Sequence, residues 1–360
     1  MCHLVPLDIE NRWSDLLAVL IERDPHAASV AFGWPDEPVT VTREAQGEGK
    51  DRIDLVVHGS GTQVGVIEAK VLSGLGPRQL ERYQRAMPHA QRFAVIFPKR
   101  LPVTVVGDWL PATWESVLDT FSHSAVPWVA ETAKAWCEYL EAAMPPVGAD
   151  TVWNEFSAGQ DFVLAMRARS SWVYGELHPP ESVELKILPS SSGVSWVVKM
   201  STPAAAPGYS IVVEFEEKWP NRSWPILAPS PAPDVKGPSV RVCLAMTDVD
   251  TSADFDWEYL HALWPVMAAA RTDWVTTSAR PRAAHDRAGY DRIVAAGAPR
   301  YLGIGFGHAQ TSKSRECMFG ARLQLAADIT LGELASVMRK LVPLLLTLAA
   351  ISPTVSTLRS

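Results

Sequence analysis

The sequence predicts an α/β domain with a mixed sheet, followed by a second domain of the α+β class. Three observations support this. The chain has 360 residues, more than the roughly 100–200 of an average domain. Up to about residue 143, short apolar strands alternate with amphipathic helices. Met144-Pro145-Pro146 then interrupts the pattern, and beyond it strands follow one another. The boundary therefore falls at Pro146, giving domains 1–146 and 147–360.

The elements can be justified in order. Asp8 is placed to cap a helix from Ile9 to Arg23, whose Trp13, Leu16, Leu17, Leu20 and Ile21 fall at helical spacing. Pro25 breaks it. A strand is expected over Val39–Arg43 and a polar, glycine-containing loop over Glu44–Lys50. Arg52–Val57 and Val64–Lys70 read as strands covered on both faces, joined by a Gly/Ser turn. Gly74 and Gly76-Pro77 mark a turn before a helix from Arg78 to Met87, which Pro88 ends. Strands at Phe93–Phe97 and Val103–Val106 and helices at Trp114–Phe121 and Val129–Ala143 complete the first domain. In the second, a helix is expected over Asp150–Ala168. Strands are expected at Trp172–Leu177, Val183–Leu188, Val194–Met200, Ser210–Phe215, Val240–Ala245, Tyr301–Phe306 and Cys317–Leu325. Helices are expected at Asp256–Ala270 and Leu331–Ile351, and residues 219–238, dense in proline, read as a long loop or linker.

Composition narrows the function. Hydrophobic residues make up 47% and charged residues 20%, as in a globular protein with a sizeable core. The net charge of −7 provides no global field for nucleic acid, so any such contact must be local. Cys2, Cys137, Cys243 and Cys317 are far apart with no C-x-x-C, which argues against a zinc cluster or a disulfide framework. Reduced, buried thiols of a cytoplasmic protein are expected. The N-terminus lacks the basic and apolar regions of a signal peptide, and Leu341–Ile351 is shorter than the about 20 residues that span a bilayer. No membrane partner is expected.

The chemistry concentrates between Asp51 and Lys70. Period-two alternation sets Val64, Val66, Glu68 and Lys70 on one face. A hairpin folded about Gly61 places Asp54 opposite Glu68, with Cβ atoms about 4.5–5.5 Å apart. Two carboxylates so placed repel, and one lysine does not fully offset them. A hard divalent cation would. A plain salt bridge on a sheet edge is the alternative, although a buried ion pair stabilises poorly.

Helix, three strands, helix and strand, with Ile53-Asp54, Ile67-Glu68-Ala69-Lys70 and Gln79-Leu80-Glu81-Arg82-Tyr83, resembles the PD-(D/E)XK nuclease superfamily. Its core is an αβββαβ restriction-endonuclease-like fold with a mixed sheet. Residues 8–122 carry the resemblance. The literal Pro-Asp is absent, with Ile53 in the proline position. Gln79 and Tyr83 match the Q-x-x-x-Y element of RecB-like members, and Glu10 the acidic residue on the first helix.

The resemblance implies a Mg²⁺- or Mn²⁺-dependent deoxyribonuclease, endo- or exonuclease. Asp54, Glu68 and Glu10 are the expected metal ligands, with a backbone carbonyl such as that of Ala69 added. Asp54, Glu68, Lys70 and Gln79 are the expected catalytic residues, with Gln79 and Tyr83 holding Lys70 or a phosphate oxygen. It implies DNA as partner and settings such as restriction, antiviral defence or repair. Residues 71–102 contain six basic side chains against Glu81 alone, and Arg78, Arg82, Arg85 and Tyr83 are the expected nucleic-acid contacts. The second domain is expected to bind DNA, sense an activating ligand, bind a partner protein or form a homo-oligomer. A scaffold that keeps the fold without catalysis, or a ligand-gated effector, is the alternative function.

Weaker signals read as ordinary structure. The fourteen tryptophans are expected mostly in the core, Gly303–His308 as a strand end with a tight turn, and the Arg280, Arg282, His285, Arg287 and Arg292 group as a solvated loop.

Overall fold

Helix α1 (Glu10–Arg23) begins the part of the chain that the computed structural model describes, residues 10–46, 52–71, 75, 78–99, 105, 107–156, 162–189, 196–216, 237–247, 255–276, 287–303 and 316–353. Asp8 lies outside these. Pro25 does more than end α1. It is the first residue of a second helix, α2 (Pro25–Phe32), where its missing N–H costs nothing. Asp24 caps α2 by accepting from the Ala27 N–H at 3.0 Å, and Gly33, at φ 71°, closes it.

A five-stranded mixed sheet follows, in the order β1 (Val39–Gln46), β2 (Arg52–Gly59), β3 (Thr62–Ala69), β4 (Phe93–Phe97), β5 (Leu110–Thr113). The first three strands are antiparallel, and β4 and β5 run parallel to β3. The β3–β4 step requires a crossover, which contains α3 (Gln79–Ala86). Two expectations are corrected here. Glu44, Ala45 and Gln46 extend β1 instead of forming a loop, because Ala45 and Gln46 pair with Ile53 and Arg52. The fifth strand is Leu110–Thr113, and of Val103–Val106 only Val105 is described, outside any strand.

Helix α4 (Trp114–Ser122) starts at a Thr113/Ser116 capping box, and α5 (Pro127–Ala143) starts on a proline. Helix α1 packs against β1, β2 and β3. Trp13, Trp114 and Trp136 form a buried cluster, with centroids 5.0, 4.6 and 5.2 Å apart.

The chain divides into two compact units. Among the described residues, the first takes those of Met1–Pro146 and Phe156–Ser171, and the second those of Val147–Glu155, Trp172–Arg222 and Pro231–Ser360. Helix α6 (Phe162–Glu176) therefore begins in one unit and ends in the other. It overturns two expectations. The helix lies later than Asp150–Ala168, and Trp172–Leu177 is not a strand. Trp172–Glu176 form the last turns of α6 instead.

The second unit is built on an antiparallel six-stranded sheet. Its order is β10 (Leu302–Gly303), β11 (Glu316–Gln324), β9 (Ser239–Thr247), β8 (Tyr209–Glu216), β7 (Trp196–Pro203), β6 (Glu184–Pro189). Helices α7 (Trp257–Ala270), α8 (Arg287–Ala295), α9 (Leu331–Lys340) and α10 (Val342–Ala349) complete it, and α10 packs on β7, β8 and α7. The expected single helix Leu331–Ile351 is two, separated at Leu341. Pro343 has no N–H to continue the ladder. One lateral row of the sheet carries Lys186, Lys199, Glu214, Arg241 and Arg322 in register. Glu214 and Arg241 are buried and meet at 3.5 Å, so central strands carry charge by opposing it.

Cys137 is half-buried, and Cys243 and Cys317 are buried, all as free thiols. Among the described residues, no helix is long and apolar enough to cross a membrane.

The tryptophan cluster yields a stability prediction. Trp13→Ala removes a side chain 1% exposed and should cost about 3–5 kcal/mol. A lower urea midpoint with an unchanged slope would report it, and an unchanged midpoint would show the cluster to be dispensable.

Candidate active site

The site is built on the β2–β3 hairpin. Ser60 and Gly61 form a two-residue turn with both φ positive, 40° and 81°. The pairs next to the turn are Gly59 with Thr62 and His58 with Gln63. Continued without interruption, that register would set Asp54 opposite Ile67 and turn Glu68 to the other face. The ladder does not continue so. Val57 pairs with Gly65, leaving Val64 as an extra residue in β3. Beyond this bulge Val56 pairs with Val66 and Leu55 with Ile67. The next position in register sets Asp54 opposite Glu68. That arrangement lies one position beyond the last pair, Leu55 with Ile67, and is reached through a tight turn and a bulge instead of a symmetric fold about Gly61.

Glu68 is 1% exposed and Lys70 8%. The Lys70 ammonium contacts Glu68 Oε1 directly. The same oxygen accepts from Gln79 Nε2 at 2.6 Å. Half-buried Asp54 accepts from the Ala69 backbone N–H at 2.8 Å. The Ala69 amide, whose carbonyl was expected to serve a metal, thus orients the second carboxylate.

Helix α3 sits over this face because Leu80 and Tyr83 pack with Val56, Val66, Val95, Phe97 and Trp109. Its first residue, Gln79, also donates to the Tyr83 hydroxyl at 2.8 Å, and that hydroxyl donates to the Arg52 carbonyl at 2.6 Å. One amide and one phenol thereby tie α3 to β3 through Glu68 and to β2 through Arg52. Gln79 and Tyr83 thus hold Glu68 and the start of β2. Burial foremost, then the negative charge of Glu68, pushes the Tyr83 phenol up from 10.0 to about 12.

Lys70 is fixed from behind. Its N–H donates to the Ile96 carbonyl at 2.7 Å, and its carbonyl accepts from Trp114 Nε1 at 2.9 Å. The next carbonyl, Val71, accepts from Arg167 Nη1 at 2.7 Å. Arg167 belongs to α6, beyond the residues that carry the resemblance. Sequence reasoning missed it. The only signal was an arginine within the apolar run Val163–Ala168.

Arg78, Arg82 and Arg85 recur at i, i+4 and i+7, so they share one side of α3, next to the side that carries Gln79 and Tyr83. Exposed Arg78 is at φ 53° at the start of the helix and pairs with Glu81 at 2.7 Å. Glu10 opens α1, and its side chain lies outside the described residues, as do Arg280, Arg282, His285, the Arg287 side chain and 304–308. Arg292 pairs with Glu258 at 3.1 Å, away from this site in the chain.

A magnesium-class ion fits the donors present. Asp54 and Glu68 supply two carboxylates on one face, and Mg²⁺ is commonly held by one or two carboxylates with waters and substrate phosphate. Among the described residues no group of three or more His, Cys, Asp or Glu is arranged to hold a metal. Comparison with protein-family models, with curated proteins and with solved structures found no match.

Two predictions follow from this geometry. Deleting Val64 would leave Asp54 opposite Glu68, because Val57–Gly65 would then follow His58–Gln63 directly. Inserting one alanine after Val64 should instead set Asp54 opposite Ile67, carry Glu68 to the other face and abolish Mn²⁺ binding measured by calorimetry. Retained binding would show that the bulge takes up the extra residue. For Tyr83, the folded pKa lies above the unfolded value of 10.0. The stability difference between wild type and Tyr83→Phe should be flat below pH 10. It should then shift against wild type toward about pH 12, as the unfolded chain loses the phenol proton first. Chemical unfolding along a pH series measures it.

Proposed function

We propose that this chain is a metal-dependent nuclease that hydrolyses phosphodiester bonds of DNA, built on the restriction-endonuclease-like core that its sequence resembles. The observation that carries the reading is the bulged hairpin, which brings Asp54 and Glu68 to one face with Lys70 against Glu68. The order α1, α2, β1, β2, β3, α3, β4 supports it, since apart from α2 it follows the α, β, β, β, α, β succession of that core.

Asp54 and Glu68 would hold Mg²⁺ or Mn²⁺. When bound, the ion supplies positive charge at the phosphate and makes hydroxide available near neutral pH. The chain's own residues do the rest. Gln79 fixes the rotamer of Glu68, and the Ala69 N–H fixes that of Asp54. Lys70 carries a proton and a positive charge at the end of β3, where it can offset charge gathering on the phosphate oxygens. The Arg78, Arg82 and Arg85 side of α3 provides phosphate contacts beside the site, and DNA is favoured over RNA by the resemblance.

A second reading, a non-catalytic scaffold or a ligand-gated effector, is favoured by one observation. The Lys70–Glu68 ion pair balances the buried carboxylate without a metal.

The test is cleavage of plasmid and linear DNA with Mg²⁺ or Mn²⁺, comparing wild type with Lys70→Ala. The expected result is metal-dependent cutting that falls by about 10²–10³ in the variant. Cutting that persists in Lys70→Ala would remove the site from the reaction. Absence of cutting by wild type, with Mn²⁺ binding that depends on Asp54 and Glu68, would favour the gated effector. Absence of both would favour the scaffold.

A further inference from the structure

We infer that Arg167 is a positioning residue of this site, holding the end of β3 on which Glu68, Ala69 and Lys70 stand. Its effect on cleavage rests on the nuclease reading, while its effect on the carboxylate pair does not.

The backbone of β3 explains why such a residue is needed. Pairing with β4 ends at Ala69 opposite Ile96, and the last bond along that edge is Lys70 N–H to the Ile96 carbonyl. The next residue, Val71, is fully buried, and a buried carbonyl needs a donor, since leaving that bond unmade costs about 1–3 kcal/mol. Trp114 supplies one for Lys70, and Arg167 supplies one for Val71.

The choice of arginine is informative. Arg167 is 5% exposed, and burying a guanidinium is costly unless its charge and donors are used. A neutral donor such as that of Trp114 would serve the carbonyl at less cost. Arginine offers a planar, pre-organised fork on a long stem, which fixes direction as well as distance. The segment it fixes carries all the functional contacts. Ala69 N–H aims Asp54, Glu68 lies two residues before Lys70, and Lys70 contacts Glu68. A lysine side chain is mobile by itself, so its placement depends on the backbone that carries it. Loosening the 70–71 backbone would therefore disturb both carboxylates and Lys70 together.

The test uses the full-length chain with Arg167→Met, which keeps the apolar stem and removes the donors and charge. Two quantities are read, Mn²⁺ affinity by calorimetry and steady-state DNA cleavage. Arg167→Met should weaken Mn²⁺ binding and lower kcat, each by about tenfold or more. KM for DNA should change by less than about twofold, and Arg167→Lys should restore part of both losses.

If Arg167→Met does not fold by circular dichroism, Arg167→Leu, which also removes the donors and charge, takes its place on the same two readouts. A folded variant with wild-type Mn²⁺ affinity and kcat would overturn the inference. So would a loss confined to KM, which would make Arg167 a DNA contact, or a Lys variant no better than Met. Should wild type bind Mn²⁺ but cut no DNA, the nuclease reading falls and the Mn²⁺ comparison alone decides the role of Arg167. If wild type binds no Mn²⁺, both fall.

Discussion

Carboxylates on neighbouring strands act together only when they share a face, and in the β2–β3 hairpin that depends on one extra residue. The tight Ser60-Gly61 turn sets one register, and the bulge at Val64 shifts it by one. Side chains alternate with a period of two, so this single shift decides whether Glu68 meets Asp54 or points away. The bulge's cost in unpaired backbone is small beside the consequence. Once the register is set, α3 can cover the face, because Leu80 and Tyr83 meet Val56, Val66 and Val95 there.

The rest of the site answers a charge problem. Glu68 is almost entirely buried, and an isolated carboxylate so placed would be costly. Lys70 supplies the opposing charge and Gln79 the hydrogen bond. Tyr83 completes the chain by holding Gln79 and the Arg52 carbonyl, with its phenol kept neutral by burial. Each partner is itself held, so the group has little freedom to rearrange. The second sheet solves the same problem differently, laying Glu214 opposite Arg241 within a row of charges.

Much of the first unit was legible because its signals are local. Apolar runs bounded by proline and glycine located β2, β3 and β4, and helical spacing located α1, α3, α4 and α5. The misreadings share a cause. Pro25 was read only as a breaker and Pro343 was passed over inside one long helix, although proline also starts helices. Trp172–Leu177 was read as a strand, but a short apolar run such as Trp172-Val173-Tyr174 fits a helix equally well. The polar end of β1 was read as loop, because pairing with Ile53 and Arg52 leaves no mark on residues 45 and 46 themselves.

The sequence by itself determined the chemistry available here: Asp54, Glu68, Lys70, Gln79 and Tyr83, their spacing, and the strands and helix that carry them. It did so because residue type and short-range periodicity are local properties. The tertiary structure alone decided who touches whom. That Gln79 serves Glu68, that Tyr83 reaches Arg52, that a bulge replaces a symmetric hairpin, and that Arg167 secures the strand end are all long-range facts. Arg167 and Val71 lie 96 residues apart, and no local pattern couples two positions at that distance. Only the packing of α6 in the first unit brings the Arg167 guanidinium to the buried Val71 carbonyl.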